Sequence, residues 1–153
     1  MSLCCDVLKA LTGKTLATAE SLTGGGIGAA LTAVPGSSAV YKGGVICYTN
    51  EIKHNVLGVS QELLERYGAV SQWVAGEMVS GVRKLLNADV AVSVTGLAGP
   101  GCDEYGHPVG TVYIGYEDRQ RALVRRYLFE GDREAVRSQT IDAALRLILE
   151  YND

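Results

Sequence analysis

Apolar positions fall into two rhythms along the chain, one of helical and one of extended spacing. Residues 4–11 set Leu8 and Leu11 on one helical face, and 15–18 follow as a short extended run. After Gly24, Gly25 and Gly26, the residues Ile27, Ala30, Leu31 and Val34 recur at intervals of three and four, which predicts a helix to about residue 34. Pro35 and Gly36 end it. Residues 40–48 read as a strand, interrupted at Gly43 and Gly44 by a bulge or a close backbone approach. Two short helices are predicted at 50–57, with Asn50 as its N-cap, and at 60–67. Ser71 caps a longer one to about 87, with Val74, Met78, Val82 and Leu85 as its inner face. Residues 89–95 are β-branched and alanine-rich, with no charge after Asp89, and suit a strand covered on both sides. Strands at 109–116 and 122–129 flank a polar turn, which predicts an antiparallel hairpin. Asp132 caps a last helix whose stripe is Val136, Thr140, Ala144, Leu147 and Tyr151. Strands alternating with helices, plus one hairpin, predict an α/β fold: a three-layer α/β/α sandwich with a mixed sheet, forming a single domain over residues 1–153.

Composition narrows the function. The chain has 153 residues, 47% of them hydrophobic, which excludes a disordered polyelectrolyte. The formal net charge is −3, and the adjacent basic pairs, Arg83-Lys84 and Arg125-Arg126, form no basic tract, so nucleic acid is not expected as a partner. No apolar run approaches the roughly 20 residues of a membrane span, and no signal segment is visible. Cys4, Cys5, Cys47 and Cys102 contain no C-x-x-C pair, so free thiols and a cytoplasmic setting are expected, with no metal site. A homo-oligomer is expected from base rates alone. Glycine is in excess, at 19 residues: seven lie between Gly24 and Gly44 and five between Gly96 and Gly110. Such clustering suits backbone shaped around a small ligand.

Four clusters could carry chemistry. Glu20, Ser21, Thr23, Gly24 and Gly25 stand between a strand and a helix, where backbone N–H groups can hold an anion. Gly36, Ser37 and Ser38 precede Tyr48, Asn50 and Lys53. A lysine can activate a serine if burial or a neighbouring cation lowers its pKa, and no Ser-His-Asp order stands out around His54 or His107. Thr95 and Gly96 end a buried strand, where open α/β sheets collect ligands, and the polar loop 102–107 follows as a lid candidate. Arg133 and Arg137 share a face at the start of the last helix, an unfavourable place for cations unless an anion compensates them.

Seven blocks in order carry a family resemblance: Ala19-Glu20-Ser21-x-Thr23-Gly24-Gly25, Pro35-Gly36-Ser37-Ser38, Tyr48-x-Asn50-x-x-Lys53, Gly68-Ala69-Val70-Ser71, Thr95-Gly96-x-Ala98-Gly99-Pro100, Pro108-Val109-Gly110-Thr111-Val112 and Gly131-Asp132-Arg133. Over about residues 14–150 the chain resembles the C-terminal domain of the competence/damage-inducible CinA proteins, a domain that also occurs alone as nicotinamide-nucleotide amidase. The resemblance implies hydrolysis of the carboxamide of nicotinamide mononucleotide to nicotinate mononucleotide and ammonia, without a cofactor. The alternative is a non-catalytic nucleotide-binding or protein-interaction module. A serine nucleophile and a lysine base map to Ser38, with Ser37 beside it as the other choice, and Lys53; an assisting tyrosine maps to Tyr48. Thr95 falls near the nicotinamide, and either Arg133 or Arg137 enters the site. The phosphate is expected on residues 21–26 or on the two arginines, and the oxyanion on N–H groups around 36–39 or at Gly96. Leu22 stands where many relatives have a cysteine, so no thiol chemistry is expected there.

Overall fold

The computed structural model describes residues 2–153. Among these, five strands form one sheet: β1 (Leu16–Glu20), β2 (Tyr41–Ile46), β3 (Val90–Gly96), β4 (Thr111–Glu117) and β5 (Ala122–Leu128), in the order β2-β1-β3-β4-β5. β1 pairs in parallel with both β2 and β3, and β4 and β5 run antiparallel, so the sheet is mixed as expected. The helices are α1 (Leu3–Ala10), α2 (Gly26–Thr32), α3 (Asn50–Leu57), α4 (Gln61–Tyr67), α5 (Gln72–Leu86) and α6 (Arg133–Glu150).

Residue parity along the strands separates the two outer layers. Leu16, Val90, Val92, Val94, Val112 and Ile114 pack with Val7 and Leu11 of the α1 region, Ile27 and Leu31 of α2, and Val136 and Ala144 of α6. Ala17, Ala19 and Ala91 face the other way, against Leu57 of α3, Leu64 of α4, and Val74, Met78 and Val82 of α5. The result is the three-layer α/β/α sandwich. Side chains on the second face are small because α5 lies close: Ser93 Oγ donates to Ala75 O at 2.8 Å, and a Cβ on Gly115 would come within 2.8 Å of the same carbonyl.

Two local expectations need correction. Leu85 is 53% exposed, because α5 turns its Val74, Ala75, Met78, Val79 and Val82 face inward and leaves Leu85 outside that stripe. The N-cap of α3 is Thr49 rather than Asn50: its extended backbone lets Oγ1 accept from Ile52 N at 3.3 Å, a contact worth about 1 kcal/mol. The glycine pair of β2 does mark a close approach. The register against β1 shifts between Leu16 and Ala17, and any Cβ on Gly44 would collide with the Thr18 hydroxyl and carbonyl.

The chain leaves β1 toward β2 on one side and later returns to β3 on the other. The carboxyl ends of β1 and β3 therefore flank a switch in strand order, the place where open α/β sheets offer a crevice.

Candidate active site

A cleft of about 510 Å³ opens at those strand ends. Ser21, Leu22, Tyr48, Asn50, Lys53, Val70, Thr95, Gly96, Asp103, Glu104, Tyr105 and Arg133 are among the residues that line it.

Strand parity delivers the reactive side chains. Ser21 follows β1, and its N–H still donates to Val94 O at 3.1 Å, so the ladder runs one residue further. Glu20 shares the side of Leu16 and Thr18, toward α2. Ser21 shares the side of Ala17 and Ala19, toward α3. On α3 the buried stripe is Lys53 and Leu57, four residues apart, so the lysine takes an inward position usually given to a hydrophobe. Lys53 is 1% exposed, and its Nζ donates to Cys47 O at 2.8 Å and Tyr48 O at 3.3 Å. Its remaining contact is Ser21 Oγ at 2.9 Å. No ion pair involving Lys53 occurs among the described residues. Burial lowers its pKa below the ordinary lysine range, with Cys47 acting in the opposite direction. A neutral amine in hydrogen-bond reach of a buried hydroxyl can take that hydroxyl's proton. The Cys47 thiol is itself pushed up to about 11 by burial and stays protonated.

Thr95 forms the far wall of the cleft. Its hydroxyl donates to Ala69 O at 2.9 Å, which leaves the oxygen as an acceptor. Arg133, at the start of α6, donates from Nη1 to Gly99 O at 2.8 Å and from Nη2 to Tyr48 OH at 3.1 Å. The phenol proton of Tyr48 is thereby left to donate elsewhere. The loop 101–107 crosses the mouth. Asp103 Oδ1 accepts from the N–H groups of Tyr105 and His107, and Tyr105 OH donates to Glu65 O at 2.8 Å. Neither histidine lines the cleft: His54 Nδ1 contacts Val59 O, and His107 pairs with Asp103. Among the described residues, no group of three or more His, Cys, Asp or Glu side chains is arranged around a metal position.

The structure thus brings together Lys53, Tyr48, Asn50, Thr95, Gly96, Arg133 and Ser21. It does not bring Ser38 there. Gly36 precedes, and Ser37 and Ser38 belong to, a short turn (Ser37–Ala39) at the amino end of β2, whereas Lys53 follows its carboxyl end. Six residues of strand at roughly 3.3 Å each put the two on opposite edges of the sheet, about 20 Å apart. Ser38 is exposed, Ser37 is buried away from the cleft, and Gly36 lines a separate hollow with Cys5, Leu8 and Val34. The serine that meets Lys53 is Ser21, which the sequence reading placed among binding residues. For the same reason, N–H groups around 36–39 cannot reach an oxyanion in this cleft.

The loop 21–26 is also not an open anion cradle. The Glu20 carboxylate fills that role from inside, accepting from Ile27 N at 2.8 Å and Gly28 N at 3.0 Å, and Thr23 donates its hydroxyl to it at 2.7 Å. Glu20, Thr23, Gly24 and Gly25 lie outside the cleft lining. Arg137 is turned onto the same loop, donating to Leu22 O and Thr23 O, so Arg133 is the arginine of the cleft.

Comparison with known proteins agrees with this architecture. A family profile described as CinA C-terminal domain matches residues 3–152. A putative competence-damage inducible protein of Desulforudis audaxviator is 42% identical over 139 residues, 91% of this chain and 34% of the relative. A CinA-like protein of Sulfurihydrogenibium sp. is 47% identical over 138 residues, 90% of this chain and 34% of the relative. The chain spans about a third of the length of these curated relatives. The crystal structure of the competence damage-inducible protein A from Klebsiella pneumoniae superposes with a TM-score of 0.95 at 40% identity, covering 97% of this chain and 94% of that one.

Proposed function

The chain belongs to the CinA C-terminal domain family, and from that premise we propose that it is an amidohydrolase that converts nicotinamide mononucleotide to nicotinate mononucleotide and ammonia, with Ser21 as nucleophile and Lys53 as base. One observation carries the reading: a buried lysine, with no ionic partner among the described residues, stands 2.9 Å from a buried serine hydroxyl in a cleft. A solvated surface pair would need no such burial, and a buried lysine without function is costly.

In this mechanism neutral Lys53 takes the Ser21 proton as Oγ attacks the carboxamide carbon. The tetrahedral intermediate collapses with the C–N bond breaking, and the lysine ammonium returns its proton to the departing ammonia. Water, deprotonated by the same amine, then hydrolyses the acyl-serine, and the proton goes back to Ser21 Oγ. Thr95, with its own proton committed to Ala69 O, suits the carboxamide NH₂ as an acceptor. Arg133 has unused N–H groups for the phosphate, and Tyr48, held by Arg133, has a free phenol proton for the same ligand.

The test is incubation of the protein with nicotinamide mononucleotide, with ammonia and nicotinate mononucleotide quantified together. Equal amounts of both products, rising with time, are expected. Binding of the nucleotide without ammonia release contradicts the reading and favours a non-catalytic binding module.

A further inference from the structure

Two charged side chains grip the Ser21 loop from opposite sides, and neither lines the cleft. From beneath, the Glu20 carboxylate, 2% exposed, accepts four hydrogen bonds: from Thr18 Oγ1 at 3.1 Å, Thr23 Oγ1 at 2.7 Å, Ile27 N at 2.8 Å and Gly28 N at 3.0 Å. It is the side-chain cap that α2 otherwise lacks, because the N-cap position is Gly25 in a left-handed conformation. From above, the Arg137 guanidinium donates from Nε to Leu22 O at 2.9 Å and from Nη2 to Thr23 O at 3.2 Å. The loop between them carries the serine that meets Lys53. Arg137 also sits one turn along α6 from Arg133, so a single helix holds both the loop and the cleft's arginine.

We propose that Glu20 and Arg137 are positioning residues for the reaction: they act through Ser21, setting its hydroxyl against Lys53, and touch no substrate. The inference rests on the reading of Ser21 as nucleophile. Its physical basis is valence. A buried carboxylate with four donors is satisfied only as an acceptor, and a carboxamide in its place turns one acceptor into a donor aimed at a backbone N–H, that of Ile27 or of Gly28. The loop must then shift, and displacements near 1 Å cost about a hundredfold in a reaction that depends on alignment.

The experiment compares Glu20→Gln, Arg137→Met and Arg137→Lys with wild type in two readouts. The first is steady-state ammonia release. The second is the rate at which a serine-directed fluorophosphonate labels Ser21, located by peptide mapping at a temperature where all four proteins are folded. Expected are a 10- to 100-fold fall in kcat and a parallel fall in labelling rate for Glu20→Gln and Arg137→Met, with KM within threefold of wild type. Arg137→Lys, which keeps one donor, should recover part of both. Arg137 lies at the surface end of the clamp, so its variants keep the test decisive if Glu20→Gln folds poorly. Labelling of Ser21 at the wild-type rate in Arg137→Met overturns the clamp and leaves the nucleophile standing. A rise in KM with unchanged kcat also overturns it, since Arg137 would then bind substrate. A wild-type protein that is labelled elsewhere and not at Ser21 overturns both the clamp and the nucleophile.

Discussion

The two edges of the parallel half of the sheet each carry a serine within three residues of a glycine, and they differ in what faces that serine. At the carboxyl edge, Ser21 is 6% exposed and meets the amine of Lys53 in a cleft closed by Thr95 and Arg133. At the amino edge, Ser38 is exposed on a short turn, and the adjacent hollow is lined by Cys5, Leu8, Val34, Pro35 and Val40. A hydroxyl has the same intrinsic chemistry in both places. What separates them is a desolvated base: among the described residues, Lys53 at the carboxyl edge is the buried amine.

The strongest way to break the contrast is to remove that base. Lys53→Met should lower kcat for ammonia release by about 10³-fold or more while the circular dichroism spectrum is retained, because general-base catalysis of this kind contributes about 10²–10⁴ and, among the described residues, Lys53 is the amine hydrogen-bonded to Ser21. Retention of a tenth of the activity would remove the carboxyl edge's distinction. Arg133→Ala should act on binding, raising KM about 10- to 100-fold with a smaller change in kcat, since a charge-assisted contact is worth about 1.5–3 kcal/mol. An unchanged KM would detach Arg133 from the ligand.

The pH dependence sharpens the comparison further. Burial lowers the Lys53 pKa, so kcat/KM should rise with pH through a midpoint below the ordinary lysine value near 10.4 and then level off. Stability follows the same sign. Between the lowered folded value and the ordinary unfolded one, the unfolded chain binds a proton that the folded chain does not, so stability rises with pH across that window. Cys47 works against this at the alkaline end. Its folded thiol keeps a proton to about 11 while the unfolded thiol loses it earlier. Urea melts of wild type and Lys53→Met from about pH 6 up to the ordinary lysine value near 10.4 isolate the lysine, since Cys47 is common to both proteins: the wild-type slope should be the more positive. Equal slopes would mean that Lys53 is not desolvated in solution.

Much of the architecture was legible because the strands and helices have different apolar periods, and each strand of the sheet overlaps a predicted extended run. The N-cap of α3 was misread because Thr49 and Asn50 are both good caps, and only the backbone angle at Thr49 chooses between them. In the site, Lys53, Tyr48, Thr95 and Arg133 were all named from the sequence. Ser21 was named as well, but as a binding residue, because the family resemblance maps the nucleophile to Ser38 and the base to Lys53. Yet β2 lies between them, and a residue before a strand cannot sit beside one after it. The alternation of Leu16, Thr18 and Glu20 against Ala17, Ala19 and Ser21 puts Ser21 on the side of α3, which carries Lys53. The roles of Glu20 and Arg137 were out of reach, since hydrogen bonds to the backbone of a loop leave no periodic trace in the sequence.

The most direct measurement is ammonia release from nicotinamide mononucleotide by two single variants assayed side by side, Ser21→Ala and Ser38→Ala. Ser21→Ala should be inactive to the detection limit, and Ser38→Ala should keep activity within about twofold of wild type, as a surface substitution remote from the cleft does. An active Ser21→Ala protein, or an inactive but folded Ser38→Ala protein, would contradict the assignment of chemistry to the carboxyl edge.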